Sequence, residues 1–276
     1  ANFDDFNAGS NKHITVSLSD TILPNVNNNY QLFTIHDKAN VFQALLKATF
    51  TGLTKVYNAV TDGQTTYTIS GIIDGDIIDI SNIYTSNFYD INVEDNKLMF
   101  INYVNLIGDN YFNYVIDASG YAYGQIIQKQ LIPNFYQLGK VYDRNQYAPI
   151  AYNLSGFFPI DIGHIDISFV WVATYRDYNV NIGIPIDISN IIIWGDKVVI
   201  NNYYIISTST ISGIISKRYL YTTGIDKNYD RKVIANVSIS NIVGDDVIGY
   251  FANFDDFNAG SNKHITVSLS DTILPN

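Results

Sequence analysis

Of the 26 acidic residues in this chain, all but Glu94 are aspartates. Three acidic loops, Asp74-Gly75-Asp76 with Asp79, Asp4-Asp5 with Asn7, and Asp245-Asp246, offer hard oxygen ligands of the kind calcium takes. None has the spaced Asp-x-Asp/Asn-x-Asp/Asn-Gly pattern of a calcium loop, and Asp and Asn are also the default turn residues. The expectation is therefore solvated turn carboxylates and no required cofactor, with calcium as the one cation these loops would suit. Histidine is sparse: His13, repeated as His264, then His36 and His164, no two at metal-ligand spacing. No Gly-x-Ser-x-Gly nucleophile motif occurs. A glycosidase-type carboxylate pair would have to come almost wholly from aspartates, and the expected reading is not an enzyme. The 22 tyrosines are the most ambiguous chemistry. Packed at sheet edges they would bond their hydroxyls to backbone; exposed, they would stack on sugars.

What must position these groups is set by composition. Hydrophobic residues make up 47% and charged residues only 15%, far from the balance of a disordered chain. Cysteine is absent, which excludes disulfides and thiolate metal sites. A formal charge of −10 argues against a nucleic-acid phosphate partner. No apolar run approaches the roughly 18 to 20 residues of a membrane helix, and Ala1–Phe6 does not read as a signal peptide, so no membrane insertion is expected. Ile, Tyr, Thr and Val favour strands while Asn, Asp and Gly favour the turns between them. The expected fold class is all-β.

Repetition occurs at two levels. Residues 252–276 reproduce residues 1–25 letter for letter, an offset of 251. Within that period a fainter module recurs. Lys55-Val-Tyr57-Asn58, Lys140-Val-Tyr142-Asp143 and Lys227-Asn-Tyr229-Asp230 open it, at spacings of 85 and 87. An apolar-Ser-Gly/Asn step and an acidic turn follow each: Ile69–Asp76, Leu154–Asp161 and Ile239–Asp246. An Asn-Tyr pair closes it, at Asn29-Tyr30, Asn113-Tyr114 and Asn202-Tyr203. Period-two alternation marks strands at Ile14–Leu18, Ile184–Ile188 and Ala235–Ile239, the pattern of antiparallel sheets packed face to face. Pro185 cannot donate to a ladder, which predicts an edge strand or a bulge. Val41–Phe50 has helical propensity, but its equivalents read as strands, so a strand is expected there too.

These signposts resemble the YDG domain, a repeated β module of large secreted and surface proteins that include haemagglutinin-like adhesins. That family opens on Lys-x-Tyr-Asp-Gly, continues through an apolar-Ser-Gly stretch and an Asp-x-Asn-Val segment, and closes on Asn-Tyr. Phe88–Val93 and Arg176–Val180 look like the third element, and Phe254–Ala259 like a looser version. The signature glycine is missing throughout, replaced by Ala59, Arg144 and Arg231, residues that a positive φ would strain.

The resemblance implies tandem immunoglobulin-like β-sandwich modules end to end, or β-grasp-like ones as the alternative, with no catalytic residues to carry over. The modules are expected at 34–118 and 119–206, with the second half of one at 1–33 and one lacking its last strand at 207–276. Their structural signature is Lys55, Tyr57, Lys140, Tyr142, Asp143, Lys227, Tyr229 and Asp230, with the closing Tyr30, Tyr114 and Tyr203. Two accounts fit the half modules at either end: a window on a tandem array, or completion of one molecule by another through strand addition. The implied role is an extracellular fibre or adhesin stalk whose partner is itself, with binding of surface glycans as the rival. A module of this size has a diameter of about 30 Å, so one period laid end to end spans about 100 Å.

Overall fold

The computed structural model describes residues 1–17, 29, 30, 33, 36–82, 84–168 and 171–270, so Leu18 and most of the stretch around Tyr30 lie outside the described residues. The chain forms two compact units. One is Ala1–Gln130 with Phe157–His164 and Asp196–Tyr204; the other is Leu131–Gly156 with Ile165–Gly195 and Ile205–Asn276.

An N-terminal sheet holds β1 (Asn2–Phe3), β2 (Gly9–Thr15) and β3 (His36–Val41) in that order. The first complete repeat follows as β4 (Ala44–Gly52), β5 (Thr54–Val56), β6 (Thr65–Ser70), β7 (Asp79–Ile80), β8 (Thr85–Phe88), β9 (Glu94–Asn102), β10 (Leu106–Ile107), β11 (Tyr114–Ala118) and β12 (Tyr121–Ile127). The second is β13 (Lys129–Gln137), β14 (Lys140–Val141), β15 (Ile150–Ser155), β16 (Ile165–Ile167), β17 (Val172–Tyr175), β18 (Asn181–Ser189), β19 (Ile193–Gly195), β20 (Tyr203–Ile205) and β21 (Ser209–Ser216). A third repeat contributes β22 (Tyr221–Ile225), β23 (Asn236–Ser240), β24 (Tyr250–Phe254) and β25 (Ile265–Leu269).

The pairing order is the same in both complete repeats. The sheets β11-β4-β6, β5-β12-β9-β8 and β10-β7 recur as β20-β13-β15, β14-β21-β18-β17 and β19-β16. The fold is all-β, as the composition implies. Purely antiparallel sheets are not what forms, however. The first and last strands of a repeat run parallel, β4 beside β11, β5 beside β12 and β14 beside β21. Parallel neighbours need a long crossover, and here the rest of the repeat supplies it.

This pairing sets the frame of the repeat. β12, expected at the start of the module 119–206, pairs instead with β9 and β5 of the preceding one. β21 likewise belongs with β18 and β14. The folded repeats therefore run from β4 to β12 and from β13 to β21. A cyclic sequence pattern can be cut anywhere along its period; hydrogen bonding decides where one sheet ends.

Alternation does what the sequence suggests. In β4, Leu46, Ala48 and Phe50 are buried while Leu45, Lys47 and Thr49 face outward, so the stretch with helical propensity is a strand. Ile184, Ile186 and Ile188 of β18 anchor the core of the second repeat with Tyr175 and Ile215. Leu46, Ile78 and Tyr114 form a core cluster in the first. Pro185, expected at an edge or bulge, lies inside a sheet between β21 and β17. Its carbonyl accepts from the Arg176 amide just past the end of β17, and the Arg176 carbonyl that its missing N–H would have met accepts the Gln146 side-chain amide instead (3.3 Å). The bulge is nearby, between Ile182 and Ile184.

Candidate functional site at the repeat boundary

The opening lysine closes its own loop. Lys55 Nζ donates to Asn58 Oδ1 (2.8 Å) and to the carbonyls of Val60 and Asp62 (both 2.6 Å). Lys227 makes the same set with Asp230 Oδ1 (2.9 Å) and the carbonyls of Lys232 (2.7 Å) and Ile234 (2.8 Å). Lys140 reaches Asp143 Oδ1 and the Asn145 carbonyl, each at 2.6 Å. Each ammonium also sits over a ring, Phe88, Tyr175 or Phe254, at 5.4 to 5.7 Å. The loop bends so tightly that Ala59, Arg144 and Arg231 all adopt left-handed φ, at 62°, 65° and 61°. These are the positions where the family resemblance implies glycine, and each L side chain there is strained.

Asp4, Asp5, Asp74, Asp79 and Asp245 are exposed, as expected of turn carboxylates, but the last aspartate of each turn is tied in. Asp76, Asp161 and Asp246 each end a turn whose amide donates three residues back, to the carbonyls of Ile73, Phe158 and Val243. In the second repeat this turn is a 3-10 segment, Pro159–Asp161, begun by a proline whose fixed φ suits it. The closing tyrosine then staples the turn. Tyr203 Oη accepts the Phe158 amide (3.0 Å) and donates to Asp161 Oδ2 (2.6 Å). Tyr114 Oη does the same with the Ile73 amide (3.1 Å) and Asp76 Oδ2 (2.5 Å). The hydroxyls expected to bond backbone alone thus bridge backbone and carboxylate.

A second tyrosine reaches this aspartate from the repeat before. Tyr57 Oη donates to Asp161 Oδ2 at 3.1 Å, and Tyr142 Oη donates to Asp246 Oδ2 at 3.0 Å. Asp161 is only 4% exposed, and Tyr57 packs edge-on against Phe158 and Tyr203, with centroids 5.8 and 5.3 Å away. Burial and the neighbouring Asp161 carboxylate push the Tyr57 hydroxyl up to about 12 and raise Tyr203 further. Arg144 adds an ion pair to Asp246 (3.5 Å).

An asparagine pair makes a parallel link that sequence reasoning missed. Buried Asn202 accepts the Val93 amide on Oδ1 (2.8 Å) and donates to Asn92 Oδ1 (3.1 Å). Asn113 stands in the same relation to the Ala8 amide (2.7 Å) and Asn7 Oδ1 (3.1 Å). Short helical turns hold both: Tyr111–Asn113, and α1 (Lys197–Ile200) just before Asn202. Gln43 and Gln128 occupy the links between repeats, each donating to two carbonyls around those turns. The signal lies in the recurring Asp-x-Asn of Asp90–Asn92, Asp177–Asn179 and Asp256–Asn258, which the resemblance marks as its third element; the copy at Asp5–Asn7 is also one of the candidate calcium loops. Phe157–His164 and Asp196–Tyr204 of the second repeat cluster with the first repeat for these reasons.

A buried lysine was missed too. Lys97 pairs with Asp90 (2.8 Å) and Glu94 (2.9 Å), and Lys12–Asp5 and Lys263–Asp256 repeat the seven-residue spacing. In the second repeat the same place is filled by buried Ile184. Asp79 of the first acidic loop accepts the Tyr67 hydroxyl (2.7 Å), and exposed His164 pairs with Asp196 (2.7 Å). Among the signature residues, the structure brings Tyr57 to Tyr203 and gives Lys55, Lys140 and Lys227 a common role. Tyr30 and Tyr229 stay exposed, without a hydrogen bond among the described residues. The arrangement is a set of buried and half-buried, charge-assisted ties. Compared with known proteins, the chain matches no family model, no curated protein and no solved structure.

Proposed function

We propose that the chain is a structural repeat segment of a long extracellular fibre or adhesin stalk, built from tandem β modules that give reach and mechanical strength. The supporting observation is the tie from Tyr57 to Asp161, repeated from Tyr142 to Asp246. Among the residues that recur in the sequence, Tyr57 and Tyr142 and the turn aspartates Asp161 and Asp246 link one repeat to the next, which is where selection on a load-bearing string would act. The work is mechanical and needs no cofactor. The resemblance to YDG repeats points the same way, to a secreted or surface-attached protein whose main partner is itself. Electron microscopy of the native material tests the reading. Thin filaments with an axial repeat near 100 Å, three modules of about 30 Å each, are expected. Discrete particles without filaments would overturn it.

A second reading has one observation of its own. Tyr89, just past β8, and Phe100 and Tyr121 on the paired strands β9 and β12 are all exposed, with Tyr89 6.3 Å from Phe100, Phe100 opposite Tyr121, and Tyr123 6.1 Å from Tyr121. Such a strip suits stacking on sugar rings. Saturable binding on a glycan array that is lost in Tyr121→Ala would favour this adhesive role.

A further inference from the structure

The outer face of the sheet β5-β12-β9-β8 carries aromatic rings that its counterparts elsewhere in the chain lack. Alternation buries Lys97, Met99 and Ile101 of β9 and Ala122, Gly124 and Ile126 of β12, and so turns Phe100, Tyr121 and Tyr123 outward, with Tyr89 beside Phe100. Strand registers fix the same positions in three other copies of this sheet. In the second repeat Arg176, Asp187 and Thr210 stand where Tyr89, Phe100 and Tyr121 stand in the first. There the guanidinium holds both Asp187 oxygens at 2.8 Å, and the Thr210 hydroxyl donates to one of them at 3.0 Å. The N-terminal sheet places Asp4, Thr15 and His36 at these positions, and the third repeat Asp255 and Thr266. The fold accepts polar and charged residues at each of them, so its core does not require the rings.

A polar group closes one end of the aromatic strip. Gln125, next after Tyr123 on the same face, donates from Nε2 to Asp95 Oδ1 (2.5 Å) and accepts Thr54 Oγ1 on Oε1 (3.0 Å). The second repeat replaces all three, with Ile214, Ile182 and Gly139 at the same positions. Rings and amide thus occur together in one repeat and are missing together from the other. Exposed rings beside a fixed amide suit a ligand with flat C–H faces and hydroxyl edges, which describes a sugar. The rings lie across paired strands on an open sheet surface, which suits an extended chain of sugars better than a single one. Among these residues the one charge is the Asp95 carboxylate, which repels anionic chains from a molecule of formal charge −10. We infer that this face of the first repeat binds an uncharged polysaccharide with equatorial linkages and hydroxyls, as in cellulose. Its rings lie along Phe100, Tyr121 and Tyr123 while its hydroxyls bond to Gln125 and Asp95. An equatorial ribbon offers C–H groups on both flat faces and meets the rings in every register, whereas an axial hydroxyl interrupts that contact. The hydroxyls of Tyr89, Tyr121 and Tyr123 make no hydrogen bond among the described residues and are open to the same ligand.

This inference rests on the adhesive reading and gives it one face and one ligand class. Affinity electrophoresis of the full chain in gels containing hydroxyethylcellulose tests it, with calorimetric titration of cellohexaose for the affinity. Retardation is expected in that gel and not in gels containing amylose or polygalacturonate. Tyr121→Ala is expected to weaken cellohexaose binding about tenfold. The triple variant Tyr89→Arg, Phe100→Asp, Tyr121→Thr installs residues that the second repeat already holds on this sheet, and is expected to abolish binding with circular dichroism unchanged. No retardation by hydroxyethylcellulose, or retardation that survives the triple variant, would overturn the inference. Retardation by amylose or polygalacturonate instead, lost in the triple variant, would overturn the ligand class and leave the adhesive reading in place. Binding to no glycan would sink both. Self-association of the chain that the triple variant abolishes, without retardation in any gel, would assign the face to a second copy and overturn the polysaccharide.

Discussion

The hydroxyl of Tyr57 donates to the carboxylate of Asp161, 104 residues downstream, and that separation exceeds the repeat spacing of 85 to 87. Tyr142 and Asp246 stand in the same relation at the same separation of 104. Each tie therefore links the loop that opens one repeat to the turn of the next. Its worth comes from burial: Asp161 has no cation at hand among the described residues, and two tyrosine hydroxyls share the charge.

Removing one donor should show this. A hydrogen bond to a charged group contributes about 1.5–3 kcal/mol. Tyr57→Phe is expected to cost about that much in urea unfolding of the full chain, and Tyr57→Phe with Tyr203→Phe to cost more than the sum, because the carboxylate is then left bare. A strictly additive pair would mean the two hydroxyls act independently.

The missing signature glycines predict a gain. Ala59 and Arg231 hold left-handed φ without the freedom of glycine. Ala59→Gly and Arg231→Gly are each expected to stabilise by about 1 kcal/mol, raising Tm by about 2–4 °C. Arg144→Gly should gain less, because it gives up the ion pair to Asp246. Calorimetry on the three variants decides; a lower Tm for Ala59→Gly would refute the strain.

Stability should fall at both ends of the pH scale. The Asn58 amide and Lys55 hold Asp62 below the ordinary 3.8, and Lys227 and Lys263 do the same for Asp230 and Asp256. Their contribution is present above 3.8 and is lost as pH falls through the lower folded values. Tyr57 shifts the other way, from 10.0 to about 12, so its share is complete below 10 and fades as pH rises toward 12. Urea midpoints followed against pH should bend in both windows, and Tyr57→Phe should flatten the alkaline one.

Lys97 offers a comparison that the molecule has already made. Lys97→Ala leaves Asp90 and Glu94 without their cation and opens a cavity, and is expected to cost about 3 kcal/mol. Lys97→Ile copies Ile184 of the second repeat and is expected to cost less than about 1 kcal/mol. Equal losses in the two variants, measured by urea titration, would show that the ion pairs and not the packing decide.

Much of this was legible in the residues themselves. Strand positions followed from alternation, as at Ile184, Ile186 and Ile188. The positions of strain followed from a glycine pattern filled by Ala59, Arg144 and Arg231. The recurrence of Lys55, Tyr57 and Tyr203 marked them as important without saying for what. Lys97 has no such signpost, because it is one polar residue among many and only burial sets it apart; Gln128 is exposed, and only its bonds to the Asn201 and Tyr203 carbonyls mark it.

The one-dimensional pattern determined the fold class, the existence of a repeat and which residues recur in it, because period, propensity and turn chemistry are local properties of the chain. It did not determine the frame of the repeat or the partner of any tyrosine. A repeating text reads alike from every starting point, and a contact 104 residues long has no local signature. Those were settled when β12 closed against β5 and β9, bringing the loop of one repeat to the acidic turn of the next.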